Sequence, residues 1–278
     1  MRNPQPQLAC GLVDSERALQ AVAVATTARA HRYDVLLLTG EEGPDAVRRV
    51  AGSGLADAII LMDVELDDDR LPLLRGTDQP SVLIGLPADT SGLTCVDLAF
   101  KATGALCVEH LAMLGHRDIA VIGESPAVYE RHTGFAERTL DGLRCRAREL
   151  GVRVLHRRAR SATTRWAVTL ARILDERPGT SRPVVQNEQA VEPLLALLHR
   201  QGHAVPEDVS VVAVCPEQVA VQASMRLTSV SIPAQEMGRH AEERLVAKLE
   251  GCGTDDVVLI APEWTVRTST GSTPPAAS

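Results

Sequence analysis

Short apolar runs recur along the chain at intervals too wide for hairpins: LACGLV (8–13), DVLLL (34–38), AIILM (58–62), SVLIG (81–85) and IAVIG (119–123). Unbroken apolar runs of this length predict strands of a parallel sheet buried on both faces. Between them, Leu19, Val22, Ala23 and Thr26 recur with helical spacing, as do Leu106, Val108, Leu111 and Leu114 after Thr103 and Gly104. A second series follows. It has a helix striped by Ala136, Leu140, Leu143, Ala147 and Leu150, the strand RVL, a helix from about Trp166 to Asp175, the strand PVVQ, a further helix and VSVVAV (209–214). In that further helix Val191, Leu194, Leu195 and Leu198 share a face, Pro193 belongs in the first turn, and Gly202 suits the C-terminal cap.

Parallel strands need crossover connections, and both sheet faces need covering. Two successive strand–helix series therefore predict an α/β chain of two doubly wound parallel-sheet lobes, with a ligand at the carboxyl ends of the strands. The C-terminal part reads as a helix carrying Met237, Ala241, Leu245 and Leu249 that stops at Gly251, then two short strands within VVLIAPEWTVRT. The tail GSTPPAAS reads as disordered.

Composition narrows the function classes. Hydrophobic residues are 45% and charged residues 23% of the 278, which is ordinary for a folded domain pair. A net charge of −7 gives no overall attraction to phosphate backbones or anionic lipid, and no membrane span or secretion signal is read. The six cysteines stand without a CxxC pair, so reduced cytoplasmic thiols are expected, with neither a zinc site nor a disulfide framework. No GxGxxG or GxxxxGK[ST] follows a strand, and no cofactor is expected. The run Asp67, Asp68, Asp69 lacks the spaced oxygen ligands of a calcium loop and reads as solvated.

Three stretches carry a resemblance. CVDLAFKATGALCVEHLAMLGHRDIAVIG (95–123), VPEDVSVVAV with RLTSVSIPAQEMGRHAEERLVAKLEG (226–251), and PEWTVRTST (262–270) stand in the order of the effector-binding core of LacI/GalR-type transcriptional regulators. The chain resembles that core from about residue 7 to 270. The resemblance implies a periplasmic-binding-protein-like fold, with three crossing segments near Gly123 to Pro126, Leu227 to Ser229 and Thr254 to Val257. The lobes would then be residues 1–124 with 228–254, and 125–227 with 255–271, leaving 272–278 as the tail. It also implies a homodimer and an amino-terminal helix-turn-helix that reads operator DNA, which this sequence does not include. His116, in LGHRDIA, is a structural landmark in this resemblance.

The same resemblance marks candidate ligand contacts. Arg131, in ERHTGF, matches an arginine whose planar guanidinium grips a ligand hydroxyl or carboxylate; the alternative is a solvated helix-face arginine. Asn187 can cap the next helix, present its amide to the cleft, or both; Glu188 after it replaces a usual aspartate. At the end of VSVVAV, Cys215 stands where a sugar-binding aspartate is implied, and a thiol does not replace that carboxylate. Pro216 removes a backbone donor there, while Glu217 can swing into the space, and together these changes disfavour a simple pyranose. Asp14 and Ser15 occupy positions of expected cleft aromatics, and with aromatic residues at 2%, stacking surfaces are scarce. Arg160 either points inward, which favours an anionic ligand, or joins the solvated arginines around it. Trp166 packs in the core or lines the cleft.

The leading expectation is a non-enzymatic, cytoplasmic sensor whose small-molecule effector, a sugar or derivative, changes operator binding through the headpiece. A free-standing binding protein and an enzyme using Cys215 or Glu217 are the alternatives.

Overall fold

Two sheets organise the computed structural model, which describes residues 15–38, 43–157, 183–253 and 255–273. The first joins Ile59–Met62 (β1), Ser81–Ile84 (β2), Thr94–Leu98 (β3) and Val257–Ile260 (β9) in the order β1-β2-β3-β9, all parallel. The second joins Asp118–Ile122 (β4), Arg153–Arg157 (β5), Pro183–Val185 (β6), Val212–Cys215 (β7), Thr228–Ser231 (β8) and Glu263–Thr265 (β10) in the order β10-β8-β7-β6-β4-β5. Only β10 runs antiparallel to its neighbour. The predicted strands at 58–62, 81–85, 119–123, 153–155, 183–186 and 209–214 thus correspond to β1, β2, β4, β5, β6 and β7.

Alternation along β2 and β3 explains the double covering. Val82, Ile84, Val96 and Leu98 pack on the side of the helix Ala234–Leu249, whose Met237 and Ala241 meet them. Leu83 and Cys95 face Val47 of the helix Gly43–Ser53 and Leu71 and Leu74 of Leu71–Arg75. In the second lobe, the helix Val191–Arg200 buries Val191, Leu194, Leu195 and Leu198 as its spacing predicts, with Gly202 in the left-handed region (φ 77) just beyond it.

The helices Phe100–Met113 (α1) and Gly134–Glu149 (α2) lie against each other closely enough that side chains are excluded at two points. A Cβ on Gly104 would overlap the carbonyl of Thr139, and one on Gly142 would overlap the carbonyl of Lys101. Leu143 and Leu111, both fully buried, fill the space around that approach.

Four expectations change. Residues 34–38 form no strand, and Val35, Leu36, Leu37 and Leu38 are exposed; an apolar run alone does not make a strand, which also needs a hydrogen-bonded neighbour. β4 pairs with β5 and β6 rather than with β1, so the chain leaves the first sheet after Leu98, not near Gly123 to Pro126. It returns after Ser231, and leaves again between Ile260 and Glu263. Asp68 is buried and ion-paired to Arg70, so the acidic run is not simply solvated. At the C-terminus, Thr273 is held by its N–H to the Leu114 carbonyl at 2.9 Å, and His116 Nε2 lies 2.9 Å from the Gly271 oxygen. The predicted strand 8–13 and helix 166–175 lie outside the described residues, as does the tail from residue 274.

Candidate functional site

The carboxyl ends of β4, β6, β7 and β8 point toward the crossing segments, and a cleft opens there. It is small and open to solvent, its enclosed space only about 20 Å³, and it is lined by Phe100, Glu124, Phe135, Gln186, Glu188, Val214 and Ile232. Small-molecule sites favour this place in a doubly wound sheet.

Each wall follows from local sequence. Gly123 ends β4 without a side chain, because a Cβ there would collide with the Tyr129 hydroxyl. That hydroxyl accepts from the Glu124 N–H at 3.3 Å and donates to Gln186 Oε1 at 3.2 Å, which ties the end of β4 to the end of β6. Gln186 Nε2 donates in turn to the Ala136 carbonyl at 3.4 Å. Asn187 caps the short helix Glu188–Ala190, its Oδ1 accepting from the Gln189 N–H at 2.9 Å, while its Nδ2 donates to Glu124 Oε2 at 2.9 Å and is not on the cleft lining. The apolar side is formed by Phe100 and Phe135, whose ring centroids are 5.7 Å apart at 50°, with Val214 and Ile232. These are the only two phenylalanines of the sequence.

Arg131 stands at the mouth rather than on the lining. It ends the short helix Pro126–Glu130 and reaches the first lobe, with Nη1 3.0 Å from Asp63 Oδ2 and 3.7 Å from Glu65 Oε1.

Cys215 is fully buried among Val185, Val211 and Leu227 and does not face the cleft. Burial, reinforced by the negative charges of Glu188 and Glu217, pushes its thiol up to about 12, so the thiolate needed for nucleophilic chemistry is suppressed. Glu217 turns instead to Arg267, whose Nη1 donates to the Leu227 carbonyl at 2.7 Å and to Ser229 Oγ at 2.9 Å. Cys215 is the last residue of β7 and faces the core, and Glu217 opens the helix that follows. Asp14, Arg160 and Trp166 lie outside the described residues.

The sequence reading missed the aromatic floor. Scarcity of aromatics says nothing about where the few converge, and Phe135, in ERHTGF, carried a usable signal beside Arg131. The described lining also holds two carboxylates and an amide and no cation. No group of three or more metal-ligating side chains occurs among the described residues, and no described helix is long and apolar enough to cross a membrane.

A family model described as a periplasmic binding protein-like domain matches residues 108–270. The chain belongs to this family. This periplasmic binding protein-like chain is 28% identical over 200 residues to the arabinose metabolism transcriptional repressor of Geobacillus stearothermophilus, a match covering 69% of the chain and 53% of the repressor. The chain thus spans about half the length of that relative. Its fold matches the crystal structure of a LacI family transcriptional regulator from Bifidobacterium animalis subsp. lactis with a TM-score of 0.83 at 21% identity, covering 93% of this chain and 95% of that one. It also matches a complex of the transcriptional regulator CelR with cellobiose, with a TM-score of 0.76 at 23% identity, covering 92% and 79%. The periplasmic-binding-protein-like fold expected from the resemblance is the one found.

Proposed function

We propose that this chain is the effector-sensing part of a LacI/GalR-type transcriptional regulator, a repressor in its default reading. It binds a neutral, hydroxyl-rich small molecule, a sugar or a derivative, in the cleft lined by Phe100, Phe135, Glu124, Gln186 and Glu188. The observation that carries this reading is the half-buried Phe135 ring beside the half-buried Glu124 and Glu188 carboxylates at the strand ends. Sugar rings offer apolar C–H faces for stacking and hydroxyls that donate to carboxylates. The anionic effector allowed by an inward Arg160 is disfavoured by the two lining carboxylates.

On this reading the lobes comprise residues 15–98 with 234–260, and 100–232 with 262–273, hinged at the three crossings. Closure on the ligand shifts the population of lobe angles, and that shift sets the spacing of paired DNA-binding headpieces. The protein acts in the cytoplasm as a homodimer, its two-fold axis matching a palindromic operator. It contacts DNA only through the headpiece and catalyses no reaction.

A thermal-shift panel of mono- and disaccharides including cellobiose, sugar phosphates, nucleosides and small acids tests the ligand class. A neutral sugar should raise Tm in a concentration-dependent way set by mass action. Stabilisation by acids alone, or by nothing in the panel, would reject the reading.

A further inference from the structure

Away from the cleft floor, loops of the two lobes meet in a built contact. The first-lobe loop leaves β1 through Asp63, a non-glycine residue at φ 54, where a side chain is disfavoured. Arg70 braces it: Nη2 donates to the Asp63 carbonyl at 2.8 Å, Nε to Asp68 Oδ1 at 2.8 Å and Nη2 to Asp68 Oδ2 at 2.5 Å. Asp68 Oδ2 also accepts from the Glu65 N–H at 3.1 Å. Burial alone would raise the Asp68 carboxyl, but the bonds and charge of Arg70 and the backbone N–H groups outweigh it and hold it below the usual range. The loop is thereby fixed with the Asp63 and Glu65 carboxylates turned to Arg131 of the second lobe.

The backbones join beside that ion pair. The Leu66 N–H donates to the His132 carbonyl at 2.9 Å and the Gly134 N–H to the Val64 carbonyl at 3.4 Å, with Glu65 and Thr133 opposed as an antiparallel bridge. Next to it, Arg138 donates to the carbonyls of Leu86 and Pro87 across the same boundary.

We propose that Asp63 is an internal surrogate ligand for Arg131: its carboxylate occupies the guanidinium and, with Glu65 and the short backbone bridge, latches the two lobes together before any effector arrives. This rests on the hinged-lobe reading above, but its test needs no ligand. The geometry suits a switch. Arg131 is 43% exposed and Asp63 19%, and ion pairs at that exposure change an equilibrium by a factor of roughly two to five, enough to bias the lobes without locking them. An effector that draws Arg131 into the cleft must displace Asp63, so latch release and ligand capture become one event.

Hydrogen–deuterium exchange of the ligand-free chain, read in peptides covering residues 64–66 and 132–134, tests this. Asp63→Asn keeps the left-handed backbone, which Asn tolerates, and removes the charge. Exchange at Leu66 and Gly134 should rise about two- to fivefold in D63N and in R131Q, with no further rise in the double variant, while amides of β4 stay unchanged. Raising the salt should accelerate the wild type more than D63N, in which only the longer Glu65 contact to Arg131 remains. Unchanged exchange in D63N, or independent contributions from the two substitutions, would overturn the latch. The two failures separate: if the lobes do not hinge, these amides exchange only with global unfolding in every variant. If they hinge without this latch, the wild type opens locally and D63N opens no faster.

Discussion

Asp97 sits at the end of β3, 2% exposed, where the chain first leaves one sheet for the other. Burial drives its carboxyl up from 3.8 to about 7, although the Arg138 charge and the backbone N–H groups of Leu98 and Leu86 oppose that rise. A carboxyl whose folded value is raised binds a proton more readily in the native state than in the unfolded chain. Its contribution is therefore favourable below about pH 4 and is lost as the pH climbs to about 7, above which the deficit stays constant. A rise of this size corresponds to about 4 kcal/mol, and near-complete burial leaves little solvent to reduce it. Asp97→Asn keeps the shape and a carbonyl for the Leu98 N–H, 3.0 Å away, but carries no charge. Urea unfolding of both proteins should show D97N the more stable at pH 8, with the gap shrinking by roughly 2–3 kcal/mol at pH 5. A gap independent of pH, or a D97N protein less stable than wild type at pH 8, would refute the argument that an ionised carboxylate strains this crossing.

Other outcomes follow from the packing and the thiols. Gly142→Ala should cost about 1–3 kcal/mol in urea unfolding, because its methyl meets the Lys101 carbonyl rather than a yielding side chain. Leu143→Ala, at a fully buried position between α1 and α2, should cost about 2–5 kcal/mol by the same measurement. With a thiol-specific chromogenic reagent at pH 8, exposed Cys252 should react in the native protein. Cys95, whose thiol burial pushes up to about 11, and Cys107 and Cys215, both at about 12, should react only on unfolding. Loss of a fast-reacting thiol in Cys215→Ser would contradict the buried placement.

What the sequence made legible is what local pattern controls. Runs such as AIILM and SVLIG are strands because nothing in them tolerates water, and Val191, Leu194, Leu195 and Leu198 declare a helix face by spacing alone. Sheet membership is not local. IAVIG has the same apolar character whether it lies beside AIILM or beside RVL, and only the pairing of Ile119 with Val154 decides. TCVDL escaped notice as a strand because Thr94 and Asp97 interrupt its apolar pattern, yet all five residues are buried. The cleft was legible in position but not in composition. Strand ends pointed to Asn187 and Cys215 alike, and only side-chain direction separates a residue touching Glu124 from one sealed behind Val185 and Leu227. Arg131 stands in a recognisable motif, whereas its partner Asp63 lies 68 positions away and has none.

The most direct test of the central claim is calorimetric titration of the chain with the neutral sugar that most raises its Tm, beside the Phe135→Leu and Gln186→Ala variants. Saturable one-to-one binding with a negative heat-capacity change, weakened about tenfold or more in each variant, is the predicted result. Equal affinity in all three proteins, or no saturable heat with any neutral sugar, would contradict a sugar site at the strand ends of the second lobe.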